Sequence, residues 1–357
     1  MWALDNRTPF AAERTWVRDR DGAEVWLVAV KGTFNISSDG NTHVDEKQAE
    51  VQLAPKYSGE PGKSSLLYDS DLPRTKVTTD IILNGHAYAP RGEPTKSVRV
   101  SFRVGDLTKS LQVTGDRVWK GFGPFVWRSS CHPFIKMPIT YERAFGGMDL
   151  KSKNPKRHKW DRRNPVGTGF ARSRSRLIGQ RVPNIHALGS GLFHWLRKPR
   201  PAGFGVVAGH WVPRVKLAGT CDEKWEAERA PLLPEDFDDR FYQCAPPDQR
   251  TARFLKGGEE VQLTNLTPGG SLSFRLPRVV LGFETDFGRE PVRHRANLHT
   301  VILEPDVPRV ILVWHTALPC HPKVTKLRKT RINQKTLRSQ PGRGTEETDS
   351  ESEEVPA

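Results

Sequence analysis

The 357-residue chain has only four cysteines, Cys131, Cys221, Cys244 and Cys320. They lie far apart and form no C-x-x-C pair, which argues against a disulfide scaffold and makes a reducing cytoplasm the expected setting. No apolar run approaches the ~18 residues of a membrane-spanning helix, so no membrane partner is expected. The opening MWALDNRTPFAAERTW mixes charged and apolar residues from the start, and no basic-then-apolar leader is expected. Complete nucleotide fingerprints are missing too. EPGKSS (Glu60 to Ser65) ends like a phosphate loop, but Tyr57 stands where the first glycine belongs and Pro61 removes an amide. The glycine groups at 121–123, 167–169 and 203–205 do not make G-x-G-x-x-G between a strand and a helix, and turn glycines are the better reading.

Metal and nucleophile patterns are equally thin. Cys131-His132 and Cys320-His321 invite a metal site completed by His194, His210, His294, His299 or His315. Adjacent pairs are poorly spaced to pre-form half a zinc site, so scattered thiols and surface histidines are expected instead. Cys221 with His210 or His186 matches no nucleophile–base motif. Asp236, Asp238 and Asp239 read as the solvated face of a short helix rather than an acid–base pair. The expectation is a protein without catalytic constellation, cofactor or metal.

What is abundant is positive charge. Lysine and arginine number 56 against 41 acids, a formal net charge of +15. Six of those acids crowd into EETDSESEE near the end of the chain, so the body is more basic still. Such a balance points to an acidic or polyanionic partner, and the body could hold the acidic run itself. Ten tryptophans argue for a folded protein, and 30 glycines with 28 prolines leave little room for long helices.

The clearest patterns are β. EVWLVAVKGTFNI (Glu24 to Ile36) is apolar in both alternating sets and predicts a strand buried on both faces. DIILNGHAYAP (Asp80 to Pro90) predicts another. SVRVSFRV and LTKSLQVT flank Gly105-Asp106 and predict a hairpin with one wet face. VQLTNLTPGGSLSFRL and NLHTVILEPDVPRVILVWHT repeat the scheme. Asp222 to Arg229 and Glu235 to Gln243 are the helix candidates.

The chain is therefore read as mainly β: two antiparallel, sandwich-like β-rich halves with a loop-rich, basic centre and a few short helices. Residues 1–125 form the N-terminal β domain, 126–255 the centre, 256–322 a C-terminal β unit, and 323–357 a basic then acidic disordered tail.

Between Lys151 and Arg181 stand eleven lysines and arginines against one acid, Asp161. Trp160 and Phe170 lie among them, as in single-strand binders. A solvated loop, a docking arm for an acidic protein and a nucleic-acid-binding segment all fit this pattern.

The order of short motifs carries a resemblance. Asp80-x-x-x-x-Gly85-x-Ala87-Tyr88 and Gly115-Asp116-Arg117-x-Trp119 lead to YERAFGG (Tyr141, Glu142, Arg143, Ala144, Phe145, Gly146, Gly147). NPVGTGF follows with Asn164, Pro165, Gly167 and Gly169, then VPNI with Asn184. PAGFG, WVPR (Trp211 to Arg214), AGTCDEKW with Gly219, Asp222 and Trp225, and PLLPEDFDDRFYQCAPPDQR with Pro234 and Phe237 come next. GGEEVQLTNLTPGG, LPR and EPD before WHT complete the series. From about Pro9 to Val324 the chain resembles the bacterial family catalogued as domain of unknown function 2169.

That resemblance implies a cytosolic adaptor or chaperone of type VI secretion. Its partners would be an effector protein or PAAR-type tip protein and the VgrG spike, with nucleic acid the less favoured partner. A hydrolase or transferase with an unrecognised site is the remaining alternative. His186 after VPNI, Cys221 in GTCD and the long basic segment 151–163 depart from the family pattern.

Under this reading Arg143, Phe145, Lys156, Arg157, Arg162, Arg163, Arg172, Arg174, Arg176, Asp236 and Asp238 shape the partner surface. Charge reversal at Arg172, Arg174 and Arg176 is expected to weaken binding without unfolding. In YERAFGG, an internal pair of Glu142 and Arg143 pins the loop, Phe145 anchors it, and the two glycines reverse the chain.

Overall fold

The structure is a computed structural model and is described for residues 2–122, 125–189, 198–288, 290–321 and 323–335. The predicted strand Glu24–Ile36 forms with those bounds. It lies inside a six-stranded sheet ordered Ala11–Arg18, Glu24–Ile36, Arg309–Pro319, Asn297–Glu304, Asp80–Leu83, with Thr42–Val44 also pairing to the long strand. Asp80–Leu83 runs parallel to its neighbour, and the other pairs along this path are antiparallel.

The predicted hairpin, Ser97–Val104 with Leu107–Thr114, lies in a five-stranded antiparallel sheet with Ile185–Ala187, Glu260–Thr264 and Ser271–Arg275. Gly105 takes φ +56° at its turn, a backbone shape that a Cβ disfavours. A third sheet joins Ala3–Asn6, Lys329–Lys335, Val280–Asp286 and Val292–His294.

The protein is mainly β with few short helices. The two β-rich stretches of sequence contribute strands to the same sheets, and one apolar core runs between them. Trp26, Val28, Val100, Phe102, Phe204 and Phe283 belong to that core. Phe102 and Phe204 meet edge-on with ring centroids 5.0 Å apart.

Two expectations are corrected. The tail expected from 323 instead supplies the strand Lys329–Lys335, because Thr330 and Ile332 alternate inward and are fully buried while Lys329 and Arg331 on the other face stay half-exposed. The acidic run 346–354 lies outside the described residues. The helix expected over 235–243 is only a 3₁₀ turn, Asp239–Tyr242. Its carboxylates serve the backbone instead: Asp236 accepts from the Thr220 amide and hydroxyl, and Asp238 accepts from the Arg240 amide. The other candidate forms as Glu223–Glu228, capped by the Asp222 side chain.

The long central strand is apolar in sequence, yet one face of its sheet is polar. Register places Lys31 opposite Val313, Ala29 opposite His315, and Thr300 opposite both Val313 and Asp80. The segments around Asp71, Lys76 and Gln243 cover this face and neutralise it. Lys31 donates to Asp71 at 2.8 Å, and Lys76 donates to Asp80 at 2.6 Å and Thr300 at 2.9 Å. No helix among the described residues is long and apolar enough to cross a membrane.

Candidate partner-binding surface

YERAFGG is a closed corner. Glu142 and Arg143 do not pair with each other as expected. One 3₁₀ turn points them apart, so each fastens a different segment. Glu142 accepts from the Ser65 amide (2.6 Å) and hydroxyl (3.0 Å), which ties down the EPGKSS loop. Arg143 donates to Asp116 (2.9 Å) and Asn184 (3.1 Å). Phe145 is buried, so it anchors the corner and offers nothing to a partner. Gly146 and Gly147 take φ +152° and +105°, and a Cβ on either would stand 2.2 Å from the Asn164 carbonyl or 2.4 Å from that of Gly167. Asn164 closes the corner by donating to the carbonyls of Tyr141 (2.8 Å) and Phe145 (3.0 Å).

The other family-pattern residues are spent in the same way. Trp211 stands edge-on to Tyr141 with ring centroids 5.4 Å apart. Arg214 is buried, paired with Asp69 at 2.7 Å and stacked over Phe241. Asn184 donates to Thr114 and Asp116. A Cβ on Gly167 would meet the Asn164 amide at 2.4 Å, on Gly169 the Pro183 ring at 2.9 Å, and on Gly219 Pro234 at 2.6 Å. Pro165 is half-buried beside Asn164. Trp225 donates to the Leu232 carbonyl, and Pro234 and Phe237 are buried.

The basic segment is folded back on two buried carboxylates. Asp149 accepts from the Arg172 amide (3.0 Å) and the Arg176 guanidinium (2.6 Å). Burial pushes its pKa up, but those donors and the Lys151 amide outweigh burial and hold it below the usual carboxylate range. Asp161 accepts from the Arg163 amide and guanidinium. Arg163 and Arg176 are therefore structural. Within the triple charge reversal, Arg176→Glu would set a second carboxylate against buried Asp149 and disrupt the fold locally, contrary to the expectation from sequence.

Lys156, Arg157, Arg162, Arg172 and Arg174 remain exposed, while Asp236 and Asp238 serve Thr220 and Arg240. Trp160 is exposed opposite Met148 and close to exposed Leu150. Phe170 is buried under Lys198 and cannot stack on a base.

A neighbouring feature escaped the sequence reading. Trp119–Phe122 pairs with Phe125–Arg128, and the register puts Phe122 opposite Phe125 and Lys120 opposite Trp127 on one face. Phe122 is 82% exposed, Phe125 70% and Trp127 49%. The opposite face packs inward through Trp119 and Val126 against Leu177 and Val182. The sequence signal is the i, i+2 spacing of Phe125 and Trp127, which sets both on one face, beside glycines at 121 and 123 that read as turn formers. Large apolar side chains grouped on one exposed face make the hairpin a candidate interaction surface.

The candidate chemical groups are dispersed. Cys244 is buried and its thiol is pushed up to about 12, chiefly by burial. Cys131 donates to the Lys96 carbonyl, Cys320 to that of Glu24, and His321 pairs with the Glu24 carboxylate. Cys221 is exposed and has no hydrogen bond to His210 or His186 among the described residues. His194 lies outside the described residues. Among the described residues no cluster of three His, Cys, Asp or Glu could hold a metal. A cavity of about 970 Å³ opens beside Val280–Asp286. There His294 is held on both ring nitrogens by Thr285 and Thr316.

Residues 21–315 match the model of the family described as "uncharacterized protein conserved in bacteria (DUF2169)". The chain belongs to that family. No curated protein and no solved structure matches it. The DUF2169 match spans the closed corner, the folded basic segment, the aromatic hairpin and most of the three sheets.

Proposed function

We propose that this chain is a non-enzymatic adaptor that binds a type VI secretion effector, or the PAAR-type tip region attached to it, and helps load it onto the VgrG spike. The observation that carries this reading is the division of labour among the motifs. Family-pattern residues such as Glu142, Arg143, Asn164 and Arg214 are used internally, while Phe122, Phe125, Trp127 and Trp160 stand exposed with exposed cations in the same region of the chain. Aromatic anchors with a cationic rim suit a protein partner, because the anchors supply affinity and the rim speeds encounter.

Tagged protein is expected to retain the effector or tip protein encoded beside it. Reversing Lys156, Arg157 and Arg162 to glutamate is expected to weaken that retention about tenfold with the melting temperature unchanged. Full retention by the triple variant would remove the basic segment from the account. Exposed Trp160 among the cations favours a second reading, single-strand nucleic-acid binding. That reading predicts oligonucleotide affinity falling steeply with salt. No binding at low salt would sink it.

A further inference from the structure

Beneath the aromatic hairpin, Arg117 and Arg128 fall diagonally on one face, because the Ser129 amide between them donates to the Val118 carbonyl and Arg128 stands opposite Trp119, and among the described residues neither has a counter-charge. Arg117 donates one nitrogen to the Thr114 hydroxyl at 3.1 Å, while its Nε is buried with no partner. Arg128 stands opposite Trp119 on the inner side of the hairpin. Among the described residues, neither forms an ion pair. The adjacent Asp116 is already used by Arg143 and Asn184.

His186 borders the same place, because it pairs across the sheet with Gln112, two residues before Thr114. Burial and the charge of Arg117, with a smaller contribution from Arg128, hold its pKa down to about 4. Arg128 is likewise held below its ordinary value by burial and by Arg117. The region therefore concentrates positive charge that nothing in the described fold neutralises. Paired carboxylates answer the basic segment at Asp149 and Asp161, but none among the described residues answers this pair.

We propose that Arg117 and Arg128, with His186 at their side, form a binding site for one glutamate or aspartate side chain of the partner protein. A planar carboxylate matches guanidinium donors, and partial burial strengthens such a bond. The exposed Val118 and the aromatic hairpin beside it would flank the acid with apolar contacts. A nucleic acid suits the place less well, since a backbone needs a track of exposed cations rather than one half-buried pair. Only the source of the carboxylate rests on the adaptor reading.

The test uses the full chain and fluorescent dodecapeptides with a single glutamate flanked by leucines, beside twins carrying glutamine. Wild type is expected to prefer the glutamate peptide about tenfold. Arg117→Gln and Arg128→Gln are each expected to abolish the preference. His186→Glu leaves both arginines in place and supplies the missing counter-charge. It is expected to raise the melting temperature and remove the preference together.

Equal binding of the twin peptides to wild type would overturn the proposal. So would a preference that survives His186→Glu. A dT20 oligonucleotide that is displaced by these variants while the peptides are unaffected would overturn it in favour of phosphate. Removing residues 344–357 is expected to leave the preference unchanged, and a tenfold gain would assign the site to this chain's own acidic run. None of these outcomes depends on effector retention, so the site and the adaptor role can fail separately.

Discussion

Asp80→Leu is expected to destabilise the protein by about 3–5 kcal/mol, the cost of leaving a buried charge without its partner. Asp80 accepts from Lys76 (2.6 Å), from the Gln243 side chain (2.8 Å) and from the Cys244 amide (2.7 Å). Both members of the ion pair are almost completely buried. Burial works most strongly against the Lys76 ammonium, but the charge and hydrogen bond of Asp80, with contributions from Cys244 and Asp69, together outweigh it and hold the pKa above the ordinary lysine value. Without Asp80 the ammonium keeps, among the described residues, the Thr300 hydroxyl and the Cys244 sulfur.

Urea unfolding of the two proteins measures the difference through their midpoints. The double variant Lys76→Met/Asp80→Leu is expected to recover part of the loss, because it removes the orphaned charge along with the pair. A loss below about 1 kcal/mol in Asp80→Leu would show that water reaches the pair, and would contradict its role.

Acidification from pH 6.5 towards 4.5 is expected to erode stability with a slope that steepens to about 2.7 kcal/mol per pH unit below pH ~5.5, from two histidines at about 1.4 each, with His186 and His294, both lowered to about 4, adding to it. His299 and His315 stack with ring centroids 4.5 Å apart inside the sheet. The Nδ1 of His299 and the Nε2 of His315 are buried without hydrogen-bond partners. Burial lowers His315 to about 3, with the Lys76 charge adding to it. Burial, His315 and Lys76 lower His299 well below its ordinary value.

The sign follows from the direction of these shifts. Depressed folded-state values mean that the unfolded chain binds more protons below pH ~6.5, so stability is full above that pH and falls as the pH drops towards the folded values. Asp149 and Asp116 are also depressed, but from the ordinary aspartate value of 3.8, so their contribution is lost only at lower pH. Urea midpoints across pH 4.5–7.5 measure the slope, and His299→Leu/His315→Leu is expected to flatten it by about two protons. A slope under one proton between pH 6 and 5 would contradict the burial of the stacked pair.

Much of the fold could be read from alternation. Glu24–Ile36, Ser97–Val104 and Leu107–Thr114 form where the pattern placed them. The buried polar face could not be read, because Lys76 and Asp71 sit in segments that look like ordinary loops and only long-range pairing brings them under the sheet. The strand Lys329–Lys335 was hidden by its charge, since two inward residues, Thr330 and Ile332, suffice to seat it.

Composition exposed the basic segment without showing which cations are spent. Arg163 and Arg176 look like Arg157 and Arg162 in sequence, and only Asp161 and Asp149 set them apart. The unpaired Arg117 and Arg128 were invisible for the same reason, because a missing counter-charge can be recognised only once the neighbours are placed.

The most direct test of the adaptor role is the amount of effector carried by the purified spike, in cells with and without this chain. Deletion is expected to remove the effector from the spike while the spike itself still assembles, and restoring the chain is expected to restore loading. An unchanged effector load after deletion would contradict that role.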